Sequence, residues 1–85
     1  MTDVKDTLAE RKVQHGPFQQ HAHIEMQLRT ILERHGQRLT SAQFIAAGMI
    51  LHKLARILNG GHQHSDTWHD IAGYATLAEQ EILNE

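Results

Sequence analysis

Between residues 44 and 58 this chain is apolar almost all the way round a helix, and no other feature limits its fold as strongly. Ile45, Met49, Ile50, Leu51, Leu54, Ile57 and Leu58 do not fall on one stripe at about 100° per residue. A helix of that kind must be covered on more than one side. Its start is well marked. Thr40 and Gln43 have capping-box spacing, and Leu39 and Phe44 occupy the flanking staple positions. Asn59, Gly60 and Gly61 close it, so a helix is predicted over 41–59.

Three further helices are predicted around it. Thr2 or Asp3 can cap a segment 3–14, which Gly16 and Pro17 terminate. In 20–35, Ile24, Leu28, Ile31 and Leu32 form a core-facing stripe, and Gly36 is the stop. Glu25, Arg29 and Glu33 step along another face at intervals of four and are expected to pair on the surface. Ser65 or Asp66 caps a last helix, 66–83, with Trp68, Ile71, Ala72, Ala75, Ala78 and Ile82 on its inner face. Gly73 in that helix costs about 1 kcal/mol against alanine, which suggests close packing or ligand approach. Met26 and Met49 read as core filler and Trp68 as a core or interface anchor.

The expectation is therefore one all-α domain, 1–85, a small helical bundle of about four helices. A chain of 85 residues buries only about 60–65% of its unfolded surface, a thin margin. Three neighbours do not cover a helix as greasy as 41–59, so a homodimer or higher oligomer is expected. Disulfides cannot add stability, because there is no cysteine, a composition that suits a reducing cytoplasm. No apolar run nears the roughly 20 residues that span a bilayer. The opening Thr2, Asp3, Val4, Lys5 lacks the layout of a secretory signal. A cytoplasmic protein without membrane contact is predicted. A formal charge of −2 gives no global basic field for nucleic acid.

The polar residues of 41–59 lie in one arc: Gly48, His52, Lys53, Arg56 and Asn59. On 66–83, Asp66, Asp70, Gly73 and Tyr74 share a face at steps of three and four. If the helices turn back at Gly60–Gly61, the cations approach the aspartates. That meeting has two readings. In one, Lys53 and Arg56 bridge to Asp66 and Asp70 and merely zip the hairpin, each exposed pair contributing about 0–1 kcal/mol. In the other, Lys53 and Arg56 grip phosphate oxygens while Asp66 and Asp70 hold Mg²⁺ or a sugar hydroxyl. His52, Asn59, His69 and Tyr74 are then candidate ligand contacts. The sequence also holds eight histidines. His62, His64 and His69, with Asp66, could ligate Zn²⁺ or Ni²⁺, although solvated loop histidines are the ordinary case. No residue pattern assigns a catalytic role, and Ser41 lacks a triad.

The residues His52-Lys53, Arg56 through Gly60, Asp66, Trp68 through Tyr74, and Leu77 resemble a family of short phage and prophage proteins. Lys12, His15, Gly16 and Phe18 resemble that family's opening. The helical pattern is also distantly similar to the MazG-type all-α nucleoside triphosphate pyrophosphohydrolases, helical oligomers that bind Mg²⁺ through clustered acids. The resemblance implies a nucleotide-related role, with Asp66 and Asp70 as the candidate acids. Residues 41–59 contain no acid, so a four-carboxylate cage is not available, and binding is expected over hydrolysis. The predicted function is a phage-type accessory protein that binds a nucleotide or phosphorylated small molecule. The alternative is an interaction module that docks onto a host protein.

Overall fold

The computed structural model describes residues 16–84, and its helices begin where the local chemistry forces a start. Helix α1 spans Phe18–His35, α2 Ser41–Arg56 and α3 Ser65–Leu83, with a π-helical turn at Ile57–Gly61 between the last two. The helix expected at 3–14 lies outside the described residues, which hold three α-helices rather than four and no strand. The all-α class is as expected.

Pro17 sets the start of α1. Its extended backbone (φ −64°, ψ 135°) leaves its carbonyl free to accept the His21 N–H at 3.1 Å. Arg34 and His35 in the last turn suit the negative end of the helix dipole. Helix α2 carries both bonds of the capping box: Gln43 N–H donates to Thr40 Oγ1 at 3.1 Å, and Thr40 N–H donates to Gln43 Oε1 at 3.0 Å. Helix α3 starts after His64, and Asp66 in its first turn faces the positive dipole end.

The predicted helix 41–59 stops at Arg56 as an α-helix. Beyond it the chain widens into the π turn, where Asn59 (φ −93°, ψ 19°) and Gly60 (φ 108°) leave helical geometry. Gly60 needs the freedom of glycine, since a side chain at that positive φ is strained. Asn59 is buried, and its Nδ2 donates to the Pro17 carbonyl at 2.8 Å. Gly16 (φ 77°) lies so close to the Asn59 carbonyl that any Cβ there would overlap it. Two glycine signals far apart in sequence thus meet at one clip, which fixes where α1 sets out across α2.

Helix α2 lies between α1 and α3 and packs on both. What it buries is slight. Among the described apolar side chains only Leu51, Ala55 and Ile57 are buried, and no large side chain among the described residues is completely so. Met26 is 61% exposed, which corrects its reading as core filler. Ile31, expected in the α1 core stripe, is likewise open to solvent, whereas Ile24, Leu28 and Leu32 are half-buried.

The expected inner face of α3 is also rotated. Trp68, Ala72, Ala75 and Ile82 are exposed, while Thr67 is buried and Asp70, Ile71, Tyr74 and Ala78 are half-buried. Thr67, Asp70, Ile71, Tyr74 and Ala78 lie along one side of the helix, so the side that carries Asp70 to Lys53 is the one turned inward. Trp68 is held instead by its Nε1–H, which donates to the His62 carbonyl at 2.9 Å. No helix among the described residues is long and apolar enough to cross a membrane.

Candidate functional site

The chain does turn back after Arg56, and the predicted meeting of cations and carboxylates takes place for one pair. Lys53 Nζ lies 2.9 Å from Asp70 Oδ2. Asp70 is held below the ordinary aspartate range first by its hydrogen bond with Lys53, with the charges of Lys53, His69 and Arg56 adding to it. This is the zipping arrangement. The lysine head is mostly covered, but the carboxylate stays 43% exposed, so the pair is solvent-screened on one side. Asp66, an exposed residue, makes no ion pair among the described residues, and neither does the half-buried Arg56.

Asp66 and Asp70 do not by themselves fit Mg²⁺. Lys53 occupies Asp70, and no third His, Cys, Asp or Glu among the described residues converges with them. The loop set His62, His64, Asp66 and His69 does not gather either; no three of them come within ligating distance of one another. His64 stands at the N-cap with extended backbone (φ −87°, ψ 102°), while Asp66 and His69 point out as exposed residues of the first turns. The remaining predicted contacts serve elsewhere. Asn59 clips the chain at Pro17, and Tyr74 lines an apolar groove between α2 and α3.

The polar arc of α2 has a second side, facing α1, and there His52 meets residues given no site role from sequence. Glu25 and His21 lie one turn apart on α1, both turned toward α2. His21 Nε2 is 2.8 Å from Glu25 Oε1, and His52 Nδ1 is 2.5 Å from the same oxygen. The other oxygen, Oε2, accepts from Arg29 Nε and lies 2.9 Å from Arg29 Nη2 as well. The His21 and His52 rings meet edge-on, 72° apart with centroids 5.0 Å apart, and Phe18 stacks on His21 at 6.1 Å.

Burial by itself opposes ionisation of Glu25. Hydrogen bonds from His21, His52 and Arg29 outweigh it and hold the carboxyl below the ordinary glutamate range. The Glu25 side chain is 14% exposed, which corrects the reading of Glu25–Arg29 as a free surface pair. The Glu25–Arg29 contact is present, but it is the outer end of an interhelical network. The sequence does carry a signal for it. A polar arc on α2 with no acid of its own needs a polar partner, and His21, Glu25 and Arg29 recur at steps of four.

The opposite side of α2 is apolar. Ala42, Ile45, Ala46 and Met49 face Tyr74, Leu77 and Ala78 of α3 across an open groove of about 500 Å³, with Ser41 and Glu81 at its edges. Ile45 and Leu77 are 65% and 62% exposed along it.

A profile of the family described as a domain of unknown function, DUF6378, matches residues 1–82. No curated protein and no solved structure matches the chain.

Proposed function

The chain belongs to the DUF6378 family, and on that premise we propose that it is a protein-interaction module that works as an assembly of its own copies. The observation that carries this is the uncovered apolar surface. Ile45, Leu77, Met26, Ile31, Trp68 and Ile82 are each more than half exposed, while the buried apolar set is Leu51, Ala55 and Ile57. Side chains of that size contribute about 1.5–3 kcal/mol each when fully buried, so this chain leaves much of its stabilisation unused. A domain with so slight a core depends on a constant partner. A second copy is always present at matching concentration, and a formal charge of −2 opposes self-contact only weakly.

The α2–α3 groove is the contact face in this reading. Its floor is small and apolar, its walls are Ile45 and Leu77, and its polar groups stand at the rim, the layout of a protein interface. Sedimentation velocity over a wide concentration range tests it. Self-association that Ile45→Lys and Leu77→Lys both weaken supports the reading. A chain that stays monomeric and folded at every concentration rejects it. In the phage-type setting that the resemblance implies, a host protein is the competing occupant, and capture of one by the monomeric chain would favour that alternative.

Binding of a nucleotide or phosphorylated small molecule is the second reading, and Arg56 favours it. The residue is half-buried and its charge acts on Asp70, yet it makes no ion pair or hydrogen bond among the described residues. A planar fork left unengaged there suits phosphate oxygens. Lys53 would have to exchange Asp70 for the phosphate, so Asp70→Asn should tighten binding and Arg56→Ala should abolish it. A thermal-shift series with nucleoside triphosphates, monophosphates and pyrophosphate reads both. MazG-like hydrolysis would need a metal cage that Asp66 and Asp70 do not build, so no catalytic role is proposed.

A further inference from the structure

Away from both of those surfaces, the geometry points to a binding site for a late first-row divalent metal, of which Zn²⁺ is the type, formed by His21, Glu25 and His52. The donor atoms of the three side chains all lie within 4.8 Å of one another. Zn²⁺ takes imidazole nitrogen at about 2.0–2.1 Å and carboxylate oxygen at about 2.0–2.2 Å, so its tetrahedral ligands stand about 3.3 Å apart. Here Glu25 Oε1 is 2.8 Å from His21 Nε2 and 2.5 Å from His52 Nδ1. An ion enters once Oε1 withdraws by less than about 1 Å, a small side-chain rotation. Each imidazole then offers the metal the nitrogen that now donates to Oε1, so the proton on that nitrogen moves to the other ring nitrogen or is released to solvent as the metal binds.

Three features separate this cluster from an ordinary polar contact. The two rings are edge-on rather than stacked, and each turns a nitrogen to the same oxygen, Glu25 Oε1. Arg29 holds Glu25 Oε2 with both Nε and Nη2, which leaves Oε1 for the inner site and fixes the carboxylate as an outer partner does in metal centres. Burial is graded, with His21 6% exposed as a residue and the His52 side chain 31% exposed, so a fourth position opens on the His52 side. Gly48, one turn before His52, adds no side chain there, and the nearest atom to a Cβ placed on it is Arg29 Nη1 at 3.9 Å.

The donor chemistry chooses the metal. Two imidazole nitrogens and one carboxylate oxygen suit Zn²⁺, Co²⁺ or Ni²⁺, whereas Mg²⁺ and Ca²⁺ take oxygen ligands. Three protein ligands with an open fourth position are the arrangement of a site that exchanges a water or an external ligand, not of a closed structural one. The site is independent of self-association, since it uses the α1 side of α2 rather than the groove.

Titration of the chelator-stripped full chain with Co²⁺, followed by its visible ligand-field bands, tests the site. The expected result is saturation at one equivalent and displacement by Zn²⁺. His21→Ala and His52→Ala should each weaken binding by about 100-fold or more, and Arg29→Ala by about 10-fold with the band position unchanged. His62→Ala and His64→Ala should leave it unaltered. Because loss of His21 or Glu25 could unfold the chain, circular dichroism accompanies each variant. Paramagnetic broadening of histidine resonances by Co²⁺ in the wild-type protein supplies a readout that needs no variant. Broadening centred on His21 and His52 supports the site. Absence of any band at saturating Co²⁺, binding that survives His52→Ala in folded protein, or broadening centred on His62, His64 and His69 overturns it.

Discussion

Toward α1, helix α2 presents Gly48 and His52 and meets a carboxylate that it lacks itself, with two imidazoles and a guanidinium gathered on Glu25. Toward α3, the same helix presents Ala42, Ile45, Ala46 and Met49 and leaves them facing an open groove. Glu25 on the polar side is mostly covered while Ile45 and Leu77 on the apolar side are not, the reverse of what hydrophobicity alone would arrange. A buried charged group must find its partners within its own chain, because leaving it unpaired costs several kcal/mol. An apolar surface can wait for a partner, since each exposed side chain costs far less. The difference teaches that the α1–α2 contact satisfies its polar groups within the chain, whereas the α2–α3 groove leaves its apolar lining uncovered.

Glu25 is where that contrast breaks most sharply. Glu25→Ala strips the partner from His21, His52 and Arg29 together and should destabilise the metal-free monomer by about 2–4 kcal/mol, read from urea unfolding. A loss under about 1 kcal/mol would mean that the polar side is as dispensable as the groove. On the apolar side the loss should fall on association instead. Ile45→Lys should raise the dissociation constant by about 10–100-fold in sedimentation equilibrium while the unfolding midpoint of the dilute chain hardly moves.

Acid sharpens the same contrast. The folded-state pKa of Glu25 is depressed, so its contribution is fully present above the ordinary glutamate value of 4.5 and is lost as pH falls through the lowered folded value. Below pH 4.5 the metal-free wild type should therefore lose stability that Glu25→Gln does not lose, with urea midpoints along a pH series as the measurement. The smallest effect belongs to the hairpin. Asp70 is also depressed, but it is solvent-exposed, so Asp70→Asn should leave the unfolding midpoint within experimental error. A large drop would show the Lys53–Asp70 pair to be a buried lock rather than a surface zip.

How far each feature is legible in the sequence depends on how local it is. The start of α2 is legible because its capping box is complete within Thr40 to Gln43, and Gly36 marks the end of α1, whereas Pro17, read as the stop of the preceding segment, instead starts α1 at Phe18, two residues before the expected 20. The Lys53–Asp70 pair is legible because a short turn between two amphipathic helices leaves few ways to oppose them. The phase of α3 is not. Alanines at 72, 75 and 78 favour no particular side strongly, so contacts with α2 such as Lys53–Asp70 decide it. Glu25 reads as a surface residue for a different reason. Its spacing to Arg29 satisfies a surface pair completely, and its interhelical partner His52 stands 27 residues away.

The amino-acid order by itself determined that this chain is helical, where α2 begins and α1 ends, and that α2 carries more apolar surface than one neighbour can cover. Those properties depend on backbone preferences and side-chain spacing within a few residues. Only the tertiary structure decided which side of α2 each helix covers, because the crossing is set by the clip of Asn59 on Gly16 and Pro17 and by the wide turn at Ile57–Gly61. Orientation between helices is a property of contacts far apart in the chain. His21, Glu25 and His52 become one cluster only once that orientation exists.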